Sequence, residues 1–424
     1  MVAKIGLNWV DVEPYGTDKV KVPLSLFPDT KKQKGKLVVV TAITPTPAGE
    51  GKTTTTLGLT DGLNLIGKDA VAVIRQPSLG PLFGRKGGGT GGGAATAEPA
   101  TDINLHFTGD FHAIQSAHNF LAAMTENSVK NQVIENFHPE GISWRRVTDA
   151  EDRSLRNIIV GIGKTADGPT RQTGYDISAA SEIMAIVALA QDYKDLRQRL
   201  ESIVVGWTTT NTPVTASDVS AVGSMMVLLK DVLKPNLVQT QEGNPVICHA
   251  GPFGNIAHGC SSIVADRLAL QTSEIAVTEA GFGADLGFEK FMDIKVRQGG
   301  AEPSAAVLVA TIKGLKWHGG VKQKELTTPN IEAVSAGASN LKYAVATVRR
   351  YGLPVVVAIN RFPEDTAEEI RVLQDAAIEA GAAAAVEAKG FAEGGRGMTD
   401  LATKVVESLE ADSADIRLMY QDSE

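Results

Sequence analysis

The 424-residue sequence predicts an α/β protein: a mostly parallel sheet with helices on both faces, followed by a second, smaller α/β domain. Two observations carry that expectation. Short β-branched runs alternate with stretches of helical periodicity, the pattern of βαβ units. Nearly every run is apolar throughout, as expected of strands covered on both faces. In order, the strands are LVVVTA from Leu37, AVAVIR from Ala70, EIAVTEA from Glu274, AVLVATI from Ala306 and PVVVAIN from Pro354, with AAAAVEA from Ala382 as a weaker member. Most are followed at once by Gly, Pro or polar residues, which puts the chemistry at their carboxyl ends. Helical spacing marks residues 181–200, 220–234 and 364–380. The second of these stops before Pro235, and the third opens on acidic residues and ends at Gly381. A Gly/His/Lys-rich stretch, 313–326, divides the chain into domains 1–325 and 326–424.

Composition narrows the function. Hydrophobic residues at 43% and charged residues at 21% describe a globular chain, not a disordered one. Forty-one Lys and Arg against forty-nine Asp and Glu leave −8, which excludes broad attraction to nucleic acid or anionic membrane. The basic run 31–36 (KKQKGK) reads as a solvated loop before a strand. Two cysteines, Cys248 and Cys260, suit a reducing compartment. No apolar run reaches the length of about 18 residues that spans a membrane, and the first residues lack the apolar core of a signal peptide. A soluble cytoplasmic protein with small-molecule partners is expected.

The first chemical motif is TAITPTPAGEGKTTTTLGL, which runs from a strand through a Gly-rich turn into a helix. Gly49-Glu50-Gly51-Lys52-Thr53 matches the end of a P-loop, where backbone N–H groups cradle phosphate, Lys neutralises it and the next hydroxyl reaches Mg²⁺. Thr46 stands where the pattern has its first Gly, and Thr54 continues the hydroxyl run. The sheet is therefore expected to be P-loop NTPase-like, with ATP as ligand and Thr53 on the metal.

The next strand ends in Arg75-Gln76-Pro77-Ser78, where a guanidinium beside a phosphate site could hold an anionic transition state. The glycine tract that follows is either a linker or a place of close backbone approach. Asp102, His106, Asp110, His112 and His118 then fall within one short segment and read together as functional. Cys248, His249, His258 and Cys260 form a nominal zinc set, but adjacent Cys-His suits one tetrahedral ion poorly, and Mg²⁺ is the metal expected.

TAITPTPAGEGKTTT, RQPSLGPLFGRKGG, DINLHFTGDFHAIQSAHN, PNLVQT, HAGPFGNIAHGC, VTEAGFGADLG and VVVAINRFPEDT, in that order, closely resemble the formate–tetrahydrofolate ligase family. The resemblance implies ATP-dependent activation of formate as formyl phosphate, then transfer to N10 of tetrahydrofolate. It implies catalytic roles for Lys52, Arg75, Gln76, Asp110 and His112, and nucleotide contacts from Thr46 to Thr54. It places Phe362, Pro363 and Phe391 against the pterin, with Phe391 where the family carries Trp, and makes the second domain the folate-side wall. It also implies a homo-oligomer.

Three departures qualify the carry-over. Gln76 replaces a family carboxylate that lies near a monovalent-cation site shared with Asp110, so that site is expected to be weakened. Ala94-Ala95-Thr96 replaces Tyr-Ala-Gln, and the family's further C-terminal segment is expected to be missing after Glu424. The competing expectations are an acyl-phosphate-forming kinase or ATPase, a formyl ligase with a different amine acceptor, and a non-catalytic nucleotide-binding paralogue.

Overall fold

The computed structural model describes residues 1–28, 34–47, 49–84, 88–150 and 152–423. The run 31–36 and the tract after Phe83 therefore fall partly outside the described residues. The apolar runs become β1 (Lys36–Ala42), β2 (Ala70–Ile74), β5 (Ile275–Glu279), β6 (Ala305–Ala310), β7 (Val355–Asn360) and β8 (Ala384–Ala388). β3 (Asn236–Thr240) and β4 (Pro245–Cys248) form a hairpin that apolar-run reading passed over. The sheet order is β3-β4-β2-β5-β1-β6-β7-β8, parallel from β4 onward, with the short strands Glu13–Pro14 and Val20–Lys21 antiparallel beyond β3.

Alternate residues of β1 serve opposite faces. Val38 and Val40 pack with Leu59 and Leu63 of α1 (Lys52–Leu65) and Leu401 and Val405 of α6 (Thr399–Glu410). Val39 belongs to a second core with Leu268 of α3 (Ile263–Thr272), Leu341 of α4 (Ile331–Arg350) and Leu373 of α5 (Ala367–Glu379). The continuous apolar strands follow from this double cover.

The expected boundary at 325/326 falls between β6 and β7, which are hydrogen-bonded neighbours in one sheet. Lys316 and Glu369, both fully buried and 2.7 Å apart, join across the same point.

Two helix expectations are corrected. Residues 181–200 form two helices, Glu182–Leu189 and Tyr193–Glu201. Asp192 caps the second by accepting from the Asp195 N–H at 2.8 Å, so local capping overrides apolar spacing. Residues 220–234 are likewise helical only over Val222–Leu228. The third expectation is matched closely by α5, which starts with a Thr366/Glu369 capping box and is followed by Gly381 at φ 91°.

Candidate functional site

β2, β5 and β1 are adjacent, and their carboxyl ends deliver the polar groups of a cavity of about 300 Å³. Arg75 follows β2, Glu279 ends β5, and the Gly-rich turn after β1 leads to Thr53 on α1. Thr53 Oγ1 donates to Glu279 Oε2 at 2.8 Å, and Arg75 Nε lies 3.6 Å from Glu279 Oε1. Glu279 is almost fully buried, whereas Arg75 is about one-fifth exposed towards the cavity. Arg75 Nε and Gln76 Oε1 are buried without hydrogen-bond partners. Pro77, Pro81, Phe253 and Phe282 supply apolar walls.

The turn before α1 is held from its own residues. Glu50 Oε1 accepts from the Thr46 N–H at 3.1 Å and from Thr46 Oγ1 at 2.8 Å, while Oε2 accepts from Thr311 Oγ1 at 2.8 Å. Asn360 Nδ2 donates to the Glu50 carbonyl at 3.1 Å. Gly49 and Gly51 have φ of 74° and 81°, and a Cβ on Gly51 would come within 2.5 Å of Asn360 Nδ2. Lys52 is the first residue of α1, at the end towards which the helix N–H groups point.

The structure thus brings Thr53, Arg75 and Gln76 together, with the turn residues and Lys52 and Thr54 alongside on α1. Asp110 is held elsewhere in this arrangement. It opens α2 (Asp110–Lys130), fully enclosed, and its carboxylate accepts from Lys21 Nζ at 2.7 Å and Asn236 Nδ2 at 2.8 Å. His112 and His106 are exposed on the helix start and the turn before it. Asp102 pairs with Lys19 at 2.5 Å. His118 belongs to the core: its ring stacks on Trp144 at 4.2 Å and bonds Ser181 Oγ and the Arg145 carbonyl, and burial pushes its pKa down to about 4.

Two of the nominal zinc residues, His249 and Cys260, have other partners, while His258 Nε2 is buried without one among the described residues. His249 bonds Ser262 Oγ and the Val232 carbonyl, each at 2.6 Å, and Cys260 Sγ donates to the His258 carbonyl at 3.1 Å. Burial lowers His249 to about 4 and raises Cys260 to about 12; for His258, burial and then the Lys295, Arg75 and Lys290 charges lower it to about 3. Among the described residues, no group of three or more His, Cys, Asp or Glu is arranged to hold a metal.

The glycine tract approaches another loop closely. Gly91–Gly92 pairs antiparallel with Ala95–Thr96, and the Ala94 N–H donates to the Phe391 carbonyl at 2.9 Å. A Cβ on Gly93 would sit 2.1 Å from that same carbonyl oxygen. Phe391 itself is 62% exposed. Phe362 follows β7, half-buried, with Lys313 Nζ 3.9 Å from its ring centroid, and Pro363 is exposed. Because β7 and β8 pair at Asn360 and Ala388, both aromatics leave the same edge of the sheet.

The formate–tetrahydrofolate ligase family model matches residues 1–424. The chain belongs to that family. A formate–tetrahydrofolate ligase of Rhizobium rhizogenes is 52% identical over 422 residues, covering 99% of this chain and 75% of the relative. One from Granulibacter bethesdensis is 52% identical over 418 residues, covering 98% and 73%. A third, from Rhizobium meliloti, is 51% identical over 421 residues, covering 99% and 75%. The chain is an enzyme of the ligase class. Among the described residues, no helix is long and apolar enough to cross a membrane.

Sequence reasoning missed Glu279. The signal was present in VTEAGFG: one acid at the end of an otherwise apolar strand. Only the strand order reveals that this strand lies between those leading to Thr53 and Arg75.

Proposed function

We propose that the enzyme uses ATP to activate formate as formyl phosphate and transfers the formyl group to N10 of tetrahydrofolate. A formate oxygen attacks the γ-phosphorus and ADP leaves; N10 then attacks the formyl carbon, phosphate leaves and the amine loses its proton. The protein's task is positioning and charge stabilisation. On this reading β1, the turn and α1 form a P-loop NTPase-like phosphate site. Lys52 neutralises the transferring phosphoryl group, and Arg75 holds it and then the acyl phosphate with a planar fork. The backbone from Thr46 to Thr54 cradles the nucleotide. Phe362, Pro363 and Phe391 flank the pterin, so residues 326–424 provide the folate-side wall.

The observation that carries the reading is the convergence of Thr53, Arg75 and a buried carboxylate at the mouth of a Gly-rich strand-to-helix turn. Oxygen donors of this kind fit a hard cation such as Mg²⁺, which would supply charge neutralisation when bound with ATP. A monovalent cation fits less well: Gln76 brings no charge, and Lys21 already neutralises Asp110. We therefore expect little activation by potassium.

The test is ATP-dependent formyl hydroxamate formation from formate and hydroxylamine, then formyl transfer on adding tetrahydrofolate. Hydroxamate without transfer would leave an acyl-phosphate-forming kinase, and neither product would remove the ligase chemistry.

A further inference from the structure

Among the described residues that line the cavity, Glu279 is the carboxylate that touches both Thr53 and Arg75. Its Oε2 accepts from the Thr53 hydroxyl at 2.8 Å, and its Oε1 is 3.6 Å from Arg75 Nε. The two contacts differ in quality. The first is a well-formed hydrogen bond. The second is a long ion pair in which Arg75 Nε makes no hydrogen bond and remains buried. Among the described residues, the rest of the guanidinium has one marginal contact, from NH1 to the Pro252 carbonyl at 3.5 Å. The backbone of Glu279 is anchored, since β5 pairs with β1 through Glu279 and with β2 through Thr278.

We propose that Glu279 couples arrival of the metal–nucleotide to release of Arg75 for the anion that becomes or carries the acyl group. The inference rests on the nucleotide reading of the Gly-rich turn. In the structure, Glu279 divides its charge between a hydroxyl on the nucleotide side and a guanidinium on the acyl side. With a divalent cation beside Thr53, the carboxylate favours that side, because a hard dication outcompetes a long ion pair for an anionic oxygen. Its hold on Arg75 weakens. The guanidinium, with Nε already unpaired, then turns its donors to an anion in the cavity. Glu279 is thus a positioning residue that acts through Thr53 and Arg75, and it makes the two ligands assist each other. Such coupling is reciprocal by thermodynamic necessity.

The decisive experiment uses the whole protein and two probes, ADP with or without Mg²⁺, and inorganic phosphate as the tetrahedral anion. Calorimetry gives the affinity of each probe alone and in the presence of the other, for wild type and Glu279→Gln. In wild type, Mg·ADP should tighten phosphate binding by about 5-fold or more, the lower end of ordinary coupling between sites. In Glu279→Gln the expected effects have opposite signs. The gain in ADP affinity on adding Mg²⁺ should shrink by about 10-fold, while phosphate alone should bind more tightly because Arg75 is no longer held. The Mg·ADP effect on phosphate should then vanish. A damaged fold would weaken both ligands together, so it cannot imitate this crossed pattern. Glu279→Asp, which keeps the charge, should retain part of the coupling.

Equal weakening of both probes with near-ultraviolet circular dichroism unchanged, or unchanged coupling in Glu279→Gln, would overturn the proposal. Wild type that binds ADP with a Mg²⁺-dependent gain keeps the nucleotide reading whatever the variant does. Wild type that binds no ADP overturns both.

Discussion

At the ends of β1, β2 and β5 the polar groups are held by one another: Glu50 by Thr46 and Thr311, Glu279 by Thr53 and Arg75. At the ends of β7 and β8 the aromatic residues are hydrogen-bonded through their backbone, Phe362 N–H to Asp365 Oδ2 and the Phe391 carbonyl from Ala94, and Phe391 leaves most of its surface in solvent. The first region is arranged in advance for charge, which is where fixed dipoles and cations lower a barrier most. The second presents flat apolar faces: that of Phe391 is largely open, and that of Phe362 is covered on one side by Lys313. In this site the side-chain to side-chain contacts follow the charge, not the hydrophobic surface.

The hardest blow to that comparison falls on Arg75. A guanidinium fork delivers two parallel donors, whereas an ammonium is a mobile point charge, so Arg75→Lys is not a conservative change. We expect kcat for formate-dependent hydroxamate formation to fall by ~10²–10³, the cost of losing one oriented donor. ADP affinity should change little. Near-normal turnover in Arg75→Lys would mean that preorganised charge is not what the cavity supplies.

The sheet and the turn after β1 were largely legible in the sequence, because doubly covered strands must be continuous apolar runs and a strand-to-helix turn with positive φ favours Gly, as at Gly49 and Gly51. Three things were not. The β3–β4 hairpin is short and begins its second strand at Pro245, so no run announces it. Asp110 and His118 share a segment with His106 and His112, yet side-chain partners distant in sequence, Lys21 and Ser181, meet the two that are buried. Glu279 becomes significant only through strand order, which is not a local property. Conversely, Asp192 carried a local cap that helical spacing hid.

A second prediction concerns the helix between the two regions. Asp61, buried on α1, accepts from Thr240 Oγ1 at 2.6 Å and Asn244 Nδ2 at 2.7 Å, and its Oδ2 has no partner. A Cβ on Gly395, in the loop after Phe391, would come within 2.8 Å of Asp61 Cβ. Burial raises the Asp61 pKa from 3.8 to about 6, with the Glu242 charge adding to it. A raised carboxyl pKa means the folded state binds more protons than the unfolded one. Stability is therefore lost as pH rises from about 4 to about 6 and is level above that. Asp61→Asn removes the ionisation, so above pH 6 it should be more stable than wild type by about 1–3 kcal/mol. Denaturant midpoints at pH 4.5 and 7.5 check this. An advantage that is the same at both values would mean the carboxyl is not titrating in the fold. Should Asn also sharpen the response to Phe391 changes, α1 and the aromatic loop move together.

The smallest expected effect is on the aromatic side. A pterin is flat, and each base-type ring stacked on an aromatic gains on the order of 1–3 kcal/mol. Phe391 has the exposed area for this, while Lys313 lies against the ring of Phe362 and leaves it one face to offer. Phe391→Ala should therefore weaken tetrahydrofolate binding about tenfold, as 1.4 kcal/mol is one decade. Because Phe391 contacts Gly92 and Gly93 through its ring and carbonyl, part of the loss could come from a slack loop instead of lost stacking. Phe391→Trp separates the two: it keeps the backbone contact and enlarges the face, so affinity should match or exceed wild type. Calorimetry with tetrahydrofolate, with and without Mg·ATP, measures both variants. If Phe391→Ala binds as tightly as wild type, the exposed ring is not a pterin platform, and the contrast between an interlocked charged side and an open apolar one no longer describes how this enzyme holds its folate.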